Sequence, residues 1–472
     1  MHASVWQVLG GALHVALALG VSAHIVLTKS DVRSAIGWTG LVWLAPFVGT
    51  ALYFSFGVNR IRRRAGRMRG RPDAPRPGPG PAGEVPPGTD ALRSLAALVG
   101  ALTKAPLSAG NTLEPLVNGD EAYPAMLAAI DGAQRSVALA TYIFDRGQVA
   151  DRFVDALARA VGRGVEVRVL IDGVGARYSR PRIASALRAR GVRVAEFLKS
   201  VIPVSHPYVN LRNHRKLLVV DGSVGFCGGL NIRDACVLAL ATPEPTQDLH
   251  FRLRGPVVAQ LLTGLAFDWT FTTGEALGGP AWAVTTERAG DVFARGIPDG
   301  PDEDFETFLM TVLGALSQAT RSIRIVTPYF LPDAPLVDAL RVAAMRGVTV
   351  EILLPARGNL RLVQWAMTAK LAYIAGAGCQ VYLSRPPFDH SKLLVIDGQW
   401  SLVGSANWDP RSLRLNFEYL VEAYSASLAA RLNAIIDRKL AAADRLTLEQ
   451  LLQRSLAARL RDGVCWLAQP YL

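Results

Sequence analysis

The octet HRKLLVVD at His214–Asp221 recurs as HSKLLVID at His390–Asp397, and each copy is followed, after the same gap, by a glycine-led turn ending in asparagine, Gly228–Asn231 (GGLN) and Gly404–Asn407 (GSAN). A chain that repeats histidine, lysine, aspartate and asparagine at one spacing has to fold as a duplicated unit. In each copy the apolar run, LLVV or LLVI, reads as a buried strand closed by an Asp-Gly turn. One such pattern arises from any strand that begins polar and ends at a turn; two copies with matching turns are not coincidence. Side chains two apart on a strand share a face, so His214 stands beside Lys216, and His390 beside Lys392.

The halves parallel each other beyond the motif. SVALATYIF (Ser136–Phe144) matches SIRIVTPYF (Ser322–Phe330), a helical segment follows each, and GVEVRVLIDG (Gly164–Gly173) matches GVTVEILLPA (Gly347–Ala356). Strand, helix, strand repeated twice predicts an α/β fold with a sheet in each half. With 472 residues, half of them hydrophobic, the chain has room for several domains. The expected division is 1–60 as a membrane hairpin, 61–110 as a linker with an apolar helix, and 111–290 and 291–472 as two α/β domains.

Ala3–Leu27 and Ser34–Asn59 contain no Lys, Arg, Asp or Glu, and each is long enough to cross a bilayer at ~20 residues. They predict two spans, about 4–27 and 35–58, joined by a short loop. The lack of a basic leader and the presence of a second span argue against a signal peptide. Arginines 60, 62, 63, 64, 67, 69 and 71 follow the second span, which places the remainder on the cytoplasmic side and against anionic headgroups. Ala65–Asp90 is Pro/Gly-rich and reads as a tether. Ala91–Ala105 reads as an apolar helix, lying on the membrane surface or docked on the catalytic body.

An imidazole beside a fixed cation suits attack on a phosphodiester. One neutral histidine serves as nucleophile, and a second, protonated, supplies the departing alkoxide with its proton. Lys216, Lys392, Asn231 and Asn407 are candidates to hold the non-bridging oxygens, where negative charge grows in the transition state. Asp221 and Asp397 belong to the repeated motif, although their Asp-Gly context also fits a turn-capping role. Tyr142 and Tyr329 sit at equivalent strand ends, as cleft-lining or core aromatics. Cys227, Cys236, Cys379 and Cys465 read as plain thiols, giving neither a disulfide framework nor a metal site. His206 and His250 read as structural or outward-facing, and His2, His14 and His24 belong to the membrane segment.

The paired HxKxxxxD and Gly-x-x-Asn sequences resemble those of the phospholipase D superfamily. Asn118–Phe144, Leu211–Gly222, TPYFLP (Thr327–Pro332) and GSANWDPRS (Gly404–Ser412) are similar, within it, to the bacterial cardiolipin synthases. The resemblance implies two homologous phospholipase D-like α/β domains in pseudo-twofold arrangement. It implies reversible phosphatidyl transfer between two phosphatidylglycerol molecules, giving cardiolipin and glycerol through a phosphohistidine, with no metal or other cofactor. It makes His214 the nucleophile, His390 the acid and base, Ser405 a further phosphate ligand, and Glu418 and Asp248 the groups that orient the histidines. The expected location is the bacterial inner membrane, multi-pass, with cytoplasmic catalytic domains.

Two departures from the family pattern stand out. Gly229 occupies the first turn where serine is usual, and Asp248 lies 34 residues past His214 whereas Glu418 lies 28 past His390, so the first half requires an insertion. Alternatives in the same chemistry are a lipid-hydrolysing phospholipase D and transfer with another donor or acceptor. From other classes come a membrane-tethered nuclease and a non-catalytic lipid-binding scaffold. Charge speaks against nucleic acid: of the net +12, residues 1–90 hold +6, and no dense basic run lies beyond them.

Overall fold

The computed structural model describes residues 2–29, 31–57, 85–178, 181–199, 211–302 and 304–469. The arginine cluster from Arg60 to Arg71, most of the Pro/Gly-rich tether, and His206 lie outside these residues. The chain forms two compact units, Met1–Met68 and Arg69–Leu472.

In the first unit α1, His2–Thr28, contains an apolar stretch of 23 residues, Trp6–Thr28, long enough to cross a hydrocarbon core. The second apolar stretch is not one helix. Asp31 caps α2, Val32–Leu44, by accepting from the Ser34 amide, and α2 stops at Ala45, whose backbone leaves the helical region (φ −143°, ψ 72°) ahead of Pro46. Proline disfavours helical geometry in the residue before it and has no N–H to continue the ladder, so α3 starts afresh at Pro46–Leu52. Ala18, Val21 and Ile25 of α1 pack on Val42 and Tyr53, while Trp6, Leu9, Leu13 and Leu27 face outward.

In the second unit the first half supplies β1 (Ser108–Val117), β2 (Ser136–Thr141), β3 (Glu166–Asp172), β4 (Arg193–Phe197), β5 (Leu217–Val220), β6 (Val224–Gly228) and β7 (Leu249–Arg254). The second half supplies β8 (Val292–Asp299), β9 (Ser322–Val326), β10 (Thr349–Pro355), β11 (Gln380–Ser384), β12 (Leu393–Ile396), β13 (Trp400–Gly404), β14 (Asn416–Tyr424) and β15 (Ala443–Leu446). They form one mixed sheet whose order mirrors about its centre. The seam is the antiparallel pair β1–β8, and outward from it run β7, β6, β5, β2, β3, β4 on one side and β14, β13, β12, β9, β10, β11, β15 on the other. Each half joins its first βαβ strands in parallel and turns antiparallel towards the seam. Helices cover the sheet, which is why LLVV and LLVI are apolar at every position instead of alternating. Asn111, fully buried at the bulge of β1, stitches the seam by donating to Ser108 O and Val292 O and accepting from the Val257 amide.

The apolar helix of the linker docks on this body. Over Arg93–Thr103 it buries Leu95, Ala96 and Val99 in the core of the second half. A buried ion pair pins its end: Arg295 on β8 donates to Glu422 on β14 at 2.6 Å, to Ala96 O at 2.8 Å and to Ala105 O at 3.3 Å. Glu422 also accepts from Trp400 Nε1 and Tyr424 OH. A Cβ at Gly100 would lie 2.8 Å from the guanidinium, so glycine lets the helix approach this closely. Arg295→Ala would leave Glu422 charged, buried and unpaired. A loss of about 3–5 kcal/mol is expected, read as a lowered denaturation midpoint of the detergent-solubilised chain.

Candidate active site

Each octet lies on the strand leading towards the seam, β5 or β12, with its histidine just before the strand and its aspartate just after. Asp221 (φ 52°) and Gly222 (φ 60°), like Asp397 (φ 54°) and Gly398 (φ 65°), make a turn with two consecutive positive φ angles, the reason for Asp-Gly at both. The aspartates sit at the opposite strand end from the histidines. Asp221 accepts from the backbone amides of Gln134, Arg135 and Ser136, and Asp397 from those of Thr320, Arg321 and Ser322 and from the Thr320 hydroxyl. They anchor the starts of β2 and β9, and the structure does not bring them to the histidines.

The acids cross between the halves. His214 donates its backbone N–H to Phe417 O, and His390 donates to Gln247 O, each the residue before the acid of the other half. That crossing sets Glu418 Oε1 and Oε2 both 3.0 Å from His214 Nδ1, and Asp248 Oδ2 2.7 Å from His390 Nδ1. The unequal spacing to the two acids is absorbed by the connections: two short 3₁₀ turns, Asp234–Cys236 and Leu238–Leu240, in the first half, and one short helix, Pro410–Arg414, in the second.

Glu418 is wholly buried and fully engaged. Ser405 Oγ donates to its Oε2 at 2.5 Å, Ser412 Oγ to Oε1 at 2.8 Å and Asn416 Nδ2 to Oε1 at 3.1 Å. Burial alone would raise its pKa; the His214 ring, the charge of Lys216 and the Ser405 hydrogen bond instead hold it at about 2. An ionised carboxylate on Nδ1 fixes the proton there, so the His214 lone pair is on Nε2. Ser405, expected on phosphate, thus spends its hydroxyl on Glu418.

Gly229 explains the other half. A Cβ there would sit 2.2 Å from Asp248 Oδ1, so Asp248 fills the volume that a serine side chain occupies in the second half. Gly229→Ser must push Asp248 off His390. Displacement of about 1 Å typically costs ~10²-fold in rate, and that loss of turnover, with the fold retained by circular dichroism, is expected.

The lysines are buried beside their histidines. Lys216 Nζ donates to His214 O at 2.6 Å, and Lys392 Nζ lies 2.8 Å from Nδ1 and 3.0 Å from Nε2 of His390. Burial pushes Lys216 down to about 7 and Lys392 to about 8. Burial, then the Lys392 charge, takes His390 to about 4; burial also lowers His214, against the opposing pull of Glu418. Lys392 acts on His214 and Lys216 on His390, so the two motifs form a single electrostatic site. Tyr142 stands edge-on to His214 at 5.1 Å between ring centroids, and Tyr329 stands 6.2 Å from His390. Asn231 Oδ1 accepts from the Ile143 amide, whereas Asn407 Oδ1 is buried with no partner among the described residues.

The strands carrying the histidines are pinned to the helix after the acid. Arg215 and Asn213 both bond Asp268 Oδ2 on Val257–Thr273, and Asp389 pairs at 2.5 Å with Lys439 on Ala426–Ala441. Asp172, at the end of β3, accepts from the Asn213 amide. His250 is buried with both ring nitrogens unpartnered among the described residues. Cys227, Cys236 and Cys379 are buried and Cys465 is half-buried, all as free thiols. Sequence reasoning missed Ser412, Asn416 and the Arg215–Asp268 pair; the polar residues crowded between the GSAN turn and Glu418 were the available signal.

A family model described as "Cardiolipin synthase, PLD-like domain" matches residues 126–240 and 312–440. The chain is 33% identical to the major cardiolipin synthase ClsA of Bacillus subtilis over 77% of this chain and 76% of that protein. It is 30% identical to a cardiolipin synthase of Geobacillus kaustophilus, over 96% of this chain and 91% of the relative. Among solved structures, phosphatidylserine synthase of Haemophilus influenzae shares the fold, with a TM-score of 0.61 over 80% of this chain and 100% of that one, at 14% identity.

Proposed function

Because the chain belongs to the cardiolipin synthase family of phospholipase D-like proteins, we propose that it transfers a phosphatidyl group from one phosphatidylglycerol to the headgroup hydroxyl of a second, releasing glycerol. The observation that carries this reading is the crossed pairing, in which each half's histidine is oriented by the other half's acid. His214 Nε2 attacks phosphorus, the P–O bond to glycerol breaks, and His390 Nε2 gives the leaving oxygen its proton. His390 then takes the proton of the second lipid's hydroxyl, whose oxygen attacks phosphorus as the P–N bond breaks, and cardiolipin leaves. Lys216, Lys392, Asn231 and Asn407 hold the non-bridging oxygens. The roles follow an asymmetry: no described residue hydrogen-bonds His214 Nε2, while Lys392 lies against both nitrogens of His390 and can exchange a proton with it.

Burial and the Lys392 charge hold the pKa of His390 at about 4, which favours its neutral form. A bound phosphodiester anion offsets the two lysine charges and raises it, which favours the charged acid once substrate is in place. The lysines set the alkaline side. With Lys216 and Lys392 at about 7 and about 8, loss of their protons removes the positive charge that holds phosphate. We expect kcat/KM to fall as pH rises through 7 to 8, as apparent values of the coupled pair, in a pH–rate profile on phosphatidylglycerol micelles.

The first 60 residues act as a two-span anchor in a bacterial inner membrane, with the arginines after them keeping the catalytic body cytoplasmic. Tethering raises the local concentration of lipid acceptors over that of free alcohols. The test is to incubate the detergent-purified chain, with EDTA, with headgroup-labelled phosphatidylglycerol. Cardiolipin with free glycerol is expected; phosphatidic acid would make the protein a hydrolase, and an inert lipid would return attention to nucleic acid.

A further inference from the structure

The last helix, Leu456–Leu467, leaves its apolar stripe uncovered. Leu456, Leu460, Val464 and Leu467 are 61–71% exposed and fall within one narrow face. The opposite face packs on the helix Arg361–Ala375, with Arg461 over the Trp365 ring at 4.4 Å and Lys370 over Trp466 at 3.8 Å. At the start of that neighbouring helix Leu360 and Leu362 are also more than half exposed.

Two observations identify what covers this face. The first is charge. Neither helix exposes a carboxylate: Asp462, the single acid in the pair, is 1% exposed and bridged by Arg454 and Arg461, while Arg361 and Lys370 on one helix, Arg459 on the other and Arg357 just before them are exposed. Exposed apolar residues on helices that expose cations and no carboxylate fit the interface of an anionic bilayer, which takes leucine into its acyl boundary and arginine among its phosphates. The second is position. Asn359, next to Leu360, accepts from Tyr329 OH at 2.7 Å, and Tyr329 stands against His390, so the Leu360 end of this surface borders the cleft. Beside them an apolar cavity of about 200 Å³, lined by Met367, Leu371, Leu446 and Leu451 with Arg454, has the character to take a segment of acyl chain.

We propose that the Leu456–Leu467 face, continued by Leu360 and Leu362, docks on the surface of an anionic phospholipid bilayer, a contact additional to the N-terminal anchor. Its occupant is lipid. Insertion of the stripe to the acyl boundary holds the cleft at headgroup depth.

The test uses the full chain with Cys465→Ala and Leu460→Cys, spin-labelled and reconstituted into vesicles of phosphatidylglycerol and phosphatidylethanolamine; Arg438→Cys is the solvent reference. The label at 460 should stay accessible to dissolved oxygen and lose accessibility to a water-soluble nickel complex. Accessibility to neither means that protein covers the face, and accessibility to both means that water does; either overturns the proposal. Relabelling at Val464→Cys guards against a local artefact. In parallel, Leu456→Ser with Leu460→Ser and Val464→Ser should lose turnover on vesicles and keep it on dispersed short-chain lipid. Label depth does not depend on turnover, so failure of the transferase reading would leave the depth result standing and failure of docking would leave turnover in dispersed lipid.

Discussion

Replacing either His214 or His390 by alanine abolishes transfer between phosphatidylglycerol molecules, a loss on the order of 10⁴-fold or more, since each ring supplies a step that water in the cleft does not. The two losses separate when the leaving group changes. Glycerol departs as a poor alkoxide and needs a proton from His390, whereas a nitrophenolate needs none. With a phosphatidyl nitrophenyl ester, His390→Ala should still give a stoichiometric burst of nitrophenol and accumulate a phosphatidyl-enzyme, because nucleophile and oxyanion contacts are intact. His214→Ala should give neither burst nor adduct. Peptide mapping, at alkaline pH, of detergent-quenched, phosphorus-labelled enzyme should locate the label on His214. Label on His390, or a burst surviving only in His214→Ala, would reverse the two roles.

The duplicated fold was legible because repetition is a property of spacing. Two octets, two glycine turns and two strand–helix–strand blocks stand in the chain as they stand in the mirrored sheet. The histidines and lysines were legible for the same reason. What the sequence did not disclose was which acid serves which histidine: counting along the chain pairs Glu418 with His390 and Asp248 with His214, and the antiparallel seam reverses both. Ser405 illustrates the same limit, since its position in the turn suggests phosphate and only the packed structure shows its hydroxyl on Glu418. Gly229 reads as a missing hydroxyl in one dimension and as the space for Asp248 in three. The second apolar stretch has the composition of a span, yet Pro46 divides it into a helix of 13 residues and one of 7 that runs on as a π turn over Tyr53–Gly57, a local steric effect that hydropathy does not register.

Glu418→Gln tests whether crossed orientation is required for catalysis. The wild-type carboxylate accepts from four groups, His214 Nδ1, Ser405 Oγ, Ser412 Oγ and Asn416 Nδ2, all of them donors. A glutamine offers one oxygen and one NH₂, so at least one donor faces another donor at a fully buried position. The ring also loses the anion that fixes its tautomer and offsets the positive charge it acquires when Nε2 bonds to phosphorus. A wrong tautomer or an unsupported imidazolium costs on the order of 10²–10⁴ in kcat. KM should move little, because Glu418 has no free lone pair for substrate. Misplaced donors add about 1–3 kcal/mol of destabilisation, small enough for the variant to be assayed folded. Acid provides an independent readout. The folded pKa of about 2 lies below the ordinary 4.5, so this group contributes stability above 4.5 that is lost as pH falls towards about 2. Denaturation midpoints of the wild type should therefore drop over that window more steeply than those of Glu418→Gln. Equal acid slopes together with unchanged kcat would show that Glu418 neither stays ionised nor orients His214.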